Sequence, residues 1–154
     1  MQLSTNLSLA EVTRSETAKR RGISNMPTSE HIENFKKLAI NIFQPIREHF
    51  GKPIFISSGY RSAELNKAIG GSLSSQHSSG EAIDIDMDGT DITNAQIFNY
   101  IKENLNFDQM IWEFGTDANP DWVHVSFAAN RSQRKQILVA KKVNGKTTYT
   151  PYSK

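Results

Sequence analysis

A chain of 154 residues with 37% hydrophobic and 22% charged residues is too apolar for a disordered protein and too polar for a membrane protein. Its formal net charge is +2, and the basic residues are spread along the chain. This argues against a nucleic-acid partner, because such proteins carry dense basic patches. The chain has no cysteine, so disulfides and thiolate metal ligands are excluded, and any metal must bind to His, Asp or Glu.

The length is typical of one domain, and we expect residues 1–154 to form a single globular unit and a monomer. Residues 1–6 show neither a basic leader nor an apolar stretch. We therefore expect no signal peptide and no membrane span. The sequence leaves the cellular location open: synthesis in the cytoplasm could be followed by release through lysis or by association with a virion.

Helices are predicted to dominate the first third of the chain. Ser8 followed by Glu11 is a capping-box pattern, which predicts a short helix near residue 8. Apolar residues at helical spacing predict the main core helix over residues 28–50. We expect a kink or join at Pro45, which cannot donate a backbone hydrogen bond, and an end at Gly51.

The rest of the chain mixes strands and helices. A Ser- and Gly-rich loop is predicted over residues 72–80, and Asn144-Gly145 predicts a tight hairpin. Further helices are predicted over residues 15–21, 62–68 and 93–105, and strands over residues 53–58, 82–87, 109–114, 122–127, 136–143 and 146–150. Helices followed by a small, mostly antiparallel sheet indicate an α+β fold.

Three residues of this sheet region could share one metal ion. His77 lies in the predicted loop, Asp84 near the start of the next strand, and His124 on a later strand, so the three can converge. Two imidazoles and one carboxylate leave a fourth zinc position open, as in catalytic rather than structural sites. From the residues alone, a structural hydrogen-bonding pair of His and carboxylate remains an alternative.

A calcium loop is a second alternative for the same segment. Asp84, Asp86 and Asp88 occupy positions one, three and five of such a loop, and Gly89 occupies position six. Position twelve, which should be a bidentate acid, is Ala95, and this disfavours calcium. We interpret Asp86 and Asp88 as polar residues at the end of a strand and in the following turn, with a supporting role for Asp86 beside the metal left open.

The sequence resembles the zinc D-alanyl-D-alanine carboxypeptidases and L-alanyl-D-glutamate endopeptidases of peptidase family M15, which have the Hedgehog signalling domain as a distant relative. The resemblance rests on Ser-Gly-Tyr-Arg-Ser at 58–62, Ser-Gln-His-x-x-Gly-x-Ala-x-Asp at 75–84 and Trp-Val-His-Val-Ser at 122–126, in that order. It implies a Hedgehog/DD-peptidase-like fold, in which N-terminal helices pack on a small sheet that carries one zinc ion. It also implies hydrolysis of amide bonds in the stem peptides of peptidoglycan.

The resemblance also implies roles for single residues. His77, Asp84 and His124 match the zinc ligands. Asp121, three residues before the last ligand, matches the general base, which can take a proton from the attacking water and pass it to the leaving amine. Arg61 matches the arginine that holds the substrate carbonyl, a task suited to a fixed positive charge with a rigid donor fork.

Four further residues are candidates for the site, and three of them have a second interpretation. Ser75 and Gln76 are predicted to contact substrate, although Gln76 could be an ordinary loop residue. Trp122 is predicted to face the cleft or to pack in the core. Glu113, a charged residue in an apolar strand, is either a hydrogen-bond acceptor for a ligand imidazole or a second candidate for the base, for which we favour Asp121. A non-catalytic zinc-binding module is the alternative function, and the bond that is cut is left open.

Overall fold

The computed structural model of the protein describes residues 1–71 and 75–153. It begins with a hairpin of β1 (Gln2–Ser4) and β2 (Leu7–Ser8), which the sequence analysis did not predict. The two leucines of this hairpin are buried in the core. Strands of three and two residues are too short to show the alternation of polar and apolar residues on which strand prediction depends.

The N-terminal helices begin and end where the capping patterns predict. Helix α1 spans Leu9–Thr13, and Ser8 and Glu11 form the predicted capping box at its start. Helix α2 spans Glu16–Arg21 and ends at Gly22, which adopts the left-handed conformation that glycine tolerates best.

The predicted core helix over residues 28–50 consists of three joined segments. Helix α3 spans Ser29–Leu38, a π-helical segment covers Ala39–Phe43, and helix α4 spans Gln44–Phe50. The predicted join at Pro45 is confirmed, since the hydrogen-bonding pattern changes immediately before the residue that lacks an N–H. Gly51 ends the helix in the left-handed conformation, as predicted.

The sheet has six strands in the order β3-β4-β6-β5-β7-β8, and it confirms the α+β class. All neighbours are antiparallel except β5 and β7, which are parallel. The strands are β3 (Ile56–Ser58), β4 (Ala82–Ile85), β5 (Gln109–Glu113), β6 (Trp122–Ser126), β7 (Gln136–Val143) and β8 (Lys146–Pro151). The remaining helices are α5 (Ala63–Ala68) and α6 (Asn94–Asn104).

The helices cover one face of this sheet. Strands β4, β5 and β6 direct alternate apolar side chains into the same cluster as α3, α4 and α6. The buried strand residues of that cluster are Ile83, Ile85, Met110, Trp112, Val123 and Val125. The intervening residues of the same strands point to the opposite face, where the polar residues singled out by sequence converge.

The predicted loop over residues 72–80 is described only in part, because residues 72–74 lie outside the described residues. Its second half is a single turn of 3-10 helix, Gln76–Ser79, which ends at Gly80. No helix in the described part of the chain combines the length and the apolar character needed to cross a membrane.

Candidate metal centre

Two of the predicted ligands lie on neighbouring strands at directly opposed positions. The antiparallel register of β4 and β6 pairs Asp84 with His124. Opposed residues on one face of an antiparallel pair have Cβ atoms about 5 Å apart, so their side chains can reach a common point. Both residues are buried, at 9% and 8% exposure, so the strand pairing alone holds a carboxylate and an imidazole together out of bulk water.

The third ligand approaches from the 3-10 turn that precedes β4. His77 Nε2 lies 3.3 Å from Asp84 Oδ1, and His124 Nδ1 lies 3.0 Å from the same oxygen. The three ligand atoms fall within 4.8 Å of one another. A tetrahedral zinc ion with bonds of about 2.0 Å separates its ligand atoms by roughly 3.3 Å, so this spacing fits the ion.

A backbone contact fixes the orientation of the His77 ring. Nδ1 lies 2.7 Å from the carbonyl oxygen of Gly59, so it carries the proton and donates, and Nε2 keeps its lone pair. Nε2 is buried and has no hydrogen-bond partner among the described residues. A buried acceptor without a donor is costly in an ordinary core, and a metal ion at this position would remove that cost.

Two glycines of the sequence motifs allow this arrangement. A side chain at Gly59 would collide with the backbone of Val12 in α1, so only glycine lets its carbonyl reach His77. Gly80 has a positive φ of 78°, and a side chain there would collide with the backbone of His31. Both glycines therefore serve the position of His77, and Gly80 ends the 3-10 turn that carries it.

The carboxylate of Asp84 is held in its charged form. Burial raises the pKa of this group, but the neighbouring imidazoles of His77 and His124 outweigh burial and lower the pKa well below its usual range. The predicted ligand is therefore ionised at neutral pH, as metal binding would require.

A fourth ionisable group, Glu113, lies on the same face of the sheet. The register pairs Glu113 with Trp122 on β6, two residues from His124, and Glu113 is only 8% exposed. Burial and the negative charge of Asp84 raise the pKa of Glu113 from 4.5 to about 7, against smaller opposing effects of His124, Trp122 and Arg61. A carboxylate poised near neutrality beside a ligand set is suited to proton transfer.

Arg61 also belongs to this site. Its backbone N–H donates to the carbonyl of His77 at 3.1 Å, which ties the two sequence motifs together. Burial lowers the pKa of its guanidinium, and the charges of Asp84 and Glu113 oppose that effect, so the cation faces both carboxylates. Its Nε is buried and has no hydrogen-bond acceptor in the described part of the chain.

Asp121 occupies a different position from Glu113. Its side chain is exposed, at the end of the loop that precedes β6. Its backbone N–H donates to the carbonyl of Glu113 at 2.9 Å, and its own carbonyl accepts from Asn94 Nδ2 at 2.9 Å. Asp86 lies in the turn after β4, where its Oδ1 accepts from the backbone N–H of Asp88 and from Asn94. These contacts hold the loops beside the site.

The three residues predicted to contact substrate lie near the ligands in different ways. Ser75 caps the 3-10 turn, because its Oγ accepts from the backbone N–H of His77 at 3.2 Å. Gln76 donates to the carboxylate of Asp108 at 3.0 Å. Trp122 is half-buried on the same face as His124. Its indole N–H favours the charged form of Glu113. No acceptor among the described residues forms a hydrogen bond with that N–H.

Asp108, which no sequence pattern marks as a site residue, is fully buried immediately before β5. Its carboxylate accepts hydrogen bonds from Arg131, Arg134 and Gln76, the neighbour of His77. Burial raises the pKa of Asp108, but these donors outweigh burial and lower it below its usual range. The sequence does not reveal these hydrogen bonds, because the arginine partners of Asp108 lie more than 20 positions away along the chain.

We expect the pH dependence of folding to report on Glu113. In metal-free protein the group ionises near pH 4.5 when unfolded and near pH 7 when folded, so the free energy of unfolding falls as pH rises between these values, by up to about 3 kcal/mol. Glu113→Gln removes this loss. In thermal unfolding, the Tm of the variant should rise relative to that of wild type between pH 5 and pH 8. This relative rise should be smaller with bound zinc, because the charge of zinc offsets that of Asp84.

A family model described as Peptidase M15 matches residues 5–126, which include the three predicted ligands, Arg61 and both candidate bases. No curated protein matches the chain.

Proposed function

Because the chain belongs to the peptidase M15 family, we propose that it is a zinc metallopeptidase that hydrolyses amide bonds in peptidoglycan stem peptides. The family membership confirms the resemblance inferred from the three motifs. The substrate class follows from that resemblance, with a terminal D-Ala-D-Ala bond or an internal L-Ala-D-Glu bond as the candidates. We also propose the Hedgehog/DD-peptidase-like fold on the same basis.

The observation that carries the proposal is the ligand set. His77, Asp84 and His124 present two nitrogens and one oxygen at spacings that suit tetrahedral zinc, and the lone pair of His77 Nε2 is buried without a donor. Three protein ligands leave one position for substrate or water, which is the pattern of catalytic zinc sites. When bound, zinc would supply Lewis acidity to the scissile carbonyl.

Arg61 is the residue we propose to hold the carbonyl oxygen of the substrate. Its guanidinium is only partly buried, and its positive charge suits an oxygen that becomes negative as water attacks the carbonyl carbon. The fork geometry of the guanidinium fixes the direction of that hydrogen bond.

A carboxylate must then take one proton from the attacking water and deliver it to the amine as the C–N bond breaks. The family motif favours Asp121, and the geometry favours Glu113, which is buried on the sheet face of the predicted ligands and pairs with Trp122, two residues from His124. We propose Glu113 as the base on the strength of that position. Asp121, with an exposed side chain, is retained as the competing assignment.

Replacement of Arg61 is expected to affect the chemical step. Arg61→Ala should lower kcat by about 10²–10³-fold, the cost of losing one donor to a developing oxyanion. Arg61→Lys should fall between this variant and wild type, because Lys keeps the charge but loses the fork. Steady-state kinetics on a stem peptide measure both. Exposed Arg20→Ala in α2 is the control, and equal losses in all three variants would contradict the role.

The function itself is tested by mass spectrometry of a synthetic stem peptide that contains an L-Ala-D-Glu bond and a terminal D-Ala-D-Ala bond. Zinc-loaded wild type should cut one of the two, and the masses of the products identify which. A non-catalytic zinc-binding module is the second candidate. It is favoured if the reaction requires Asp121 rather than Glu113 as the base, because the side chain of Asp121 is exposed. Stoichiometric zinc without cleavage of either bond would support that module.

A further inference from the structure

The sheet register extends the candidate site onto the C-terminal hairpin. Glu113 on β5 pairs with Trp122 on one side and with Ala140 on the other, and Ala140 pairs with Tyr149 on β8. Residues paired in this way project from the same face of a sheet. Tyr149 therefore stands in one row with Trp122 and Glu113, on the face that carries the metal ligands.

The residue between Glu113 and Tyr149 keeps that row open. Ala140 has only a methyl group and is fully buried, so it raises no side chain between the carboxylate and the phenol ring. Paired strands lie about 4.8 Å apart, which puts the β8 backbone roughly 10 Å from that of β5. A tyrosine side chain spans much of that distance, so its hydroxyl can lie near Glu113.

The electrostatic surroundings of Tyr149 agree with this position. Burial raises the pKa of its phenol, and the negative charges of Glu113 and Asp84 raise it further. The hydroxyl therefore keeps its proton at neutral pH and stays a hydrogen-bond donor. More than half of the side chain, 55%, is exposed, so the ring and hydroxyl are accessible to a molecule that binds on this face.

We propose that Tyr149 is a substrate-binding residue of this site, whose hydroxyl donates a hydrogen bond to a carbonyl or carboxylate oxygen of the bound peptide. The inference rests on the proposed function for the nature of that peptide. Tyr149 lies beyond residue 126, where the family match ends, so this contact belongs to the part of the chain that the family model does not include. Trp122 and Tyr149 then bound the substrate position on either side of Glu113.

The test compares Tyr149 on β8 with Tyr152, which immediately follows the end of that strand. Tyr149→Phe keeps the ring and removes the hydroxyl, whereas Tyr152→Phe makes the same change on the opposite face, where Tyr152 packs against Phe98 and Trp112. Kinetics on the synthetic stem peptide should show about a tenfold loss of kcat/KM for Tyr149→Phe, mainly through KM, as expected for one lost hydrogen bond to a charged or polar oxygen. Tyr152→Phe should match wild type.

Calorimetric binding of the same peptide to metal-free protein is the second readout, and it should weaken for Tyr149→Phe alone. Equal kinetics and equal binding for wild type and Tyr149→Phe would overturn the proposal and leave the proposed function intact. A loss accompanied by a lower Tm or a lower zinc content would overturn it in favour of a structural role. Absence of cleavage and of binding by wild type would overturn both proposals.

Discussion

Glu113→Gln is expected to lower kcat for stem-peptide cleavage by about 10²–10⁴-fold while zinc content stays stoichiometric. This is the usual cost of removing a positioned acid or base. Gln keeps the size of the side chain but cannot accept a proton, and Glu113 is outside the ligand set. The measurements are single-turnover kinetics by mass spectrometry and metal analysis of the same samples.

Asp121→Asn is the matched variant, since it makes the same chemical change on the exposed carboxylate eight residues later. We expect it to retain cleavage within about tenfold of wild type, a loss small enough to come from a shift of the loop before β6, which Asn94 of α6 holds through the carbonyl of Asp121. The reverse pattern, with Glu113→Gln active and Asp121→Asn inactive, would return the role of base to Asp121. The acid limb of the pH profile should disappear only in the variant that lacks the base.

Asp84→Asn is expected to abolish the response of the protein to zinc. A ligand present at 1,000 times its Kd stabilises the folded state by about 4 kcal/mol, which raises Tm by several degrees in a chain of this size. Wild type stripped with a chelator should lose that increment together with its activity and recover both when zinc is returned. The variant should show neither the increment nor the activity, because it replaces the anionic ligand between the two imidazoles.

The change in Tm on adding zinc is the quantity to compare, because Asp84→Asn also alters the metal-free protein. The pKa of Asp84 is depressed in the folded state, so its ionised form stabilises the fold above its ordinary pKa, and this stabilisation is lost as pH falls through the folded-state pKa. Asp86→Asn is the control, since Asp86 lies two residues further on and its Oδ1 accepts hydrogen bonds that an amide oxygen can also accept. A zinc response that survived in Asp84→Asn would contradict the ligand set.

The parts of the fold that sequence predicted are those that depend on local chemistry. The capping box of Ser8 and Glu11, the stops at Gly22 and Gly51 and the Asn144-Gly145 turn each need only neighbouring residues, and each is where it was expected. The strand predicted over residues 53–58 is confirmed only at its end. Pro53 cannot donate to a ladder, and the shortened strand begins at Ile56.

In the candidate site, too, the residues that sequence predicted are those marked by local patterns. His77, Asp84 and His124 are recognisable because their spacing and the flanking motifs are local, and the structure brings their side chains together. The positions of Glu113 and Tyr149 depend on strand order and register across four strands, which no local pattern states. Chain order β5, β6, β7, β8 becomes β6-β5-β7-β8 in the sheet, so neighbours in space are not the neighbours that sequence suggests.

The hydrogen bonds of Asp108 bear on how this protein can be divided or recombined. Arg131 and Arg134 lie beyond residue 126, as does β7, which covers the outer edge of β5. A recombinant fragment that ends at residue 126 would leave the buried carboxylate of Asp108 without its arginine partners. It would also expose the edge of β5 next to Glu113. Chimaeras should therefore carry residues 127–143 with the segment that includes Asp108, and related sequences that change Asp108 should change both arginines as well.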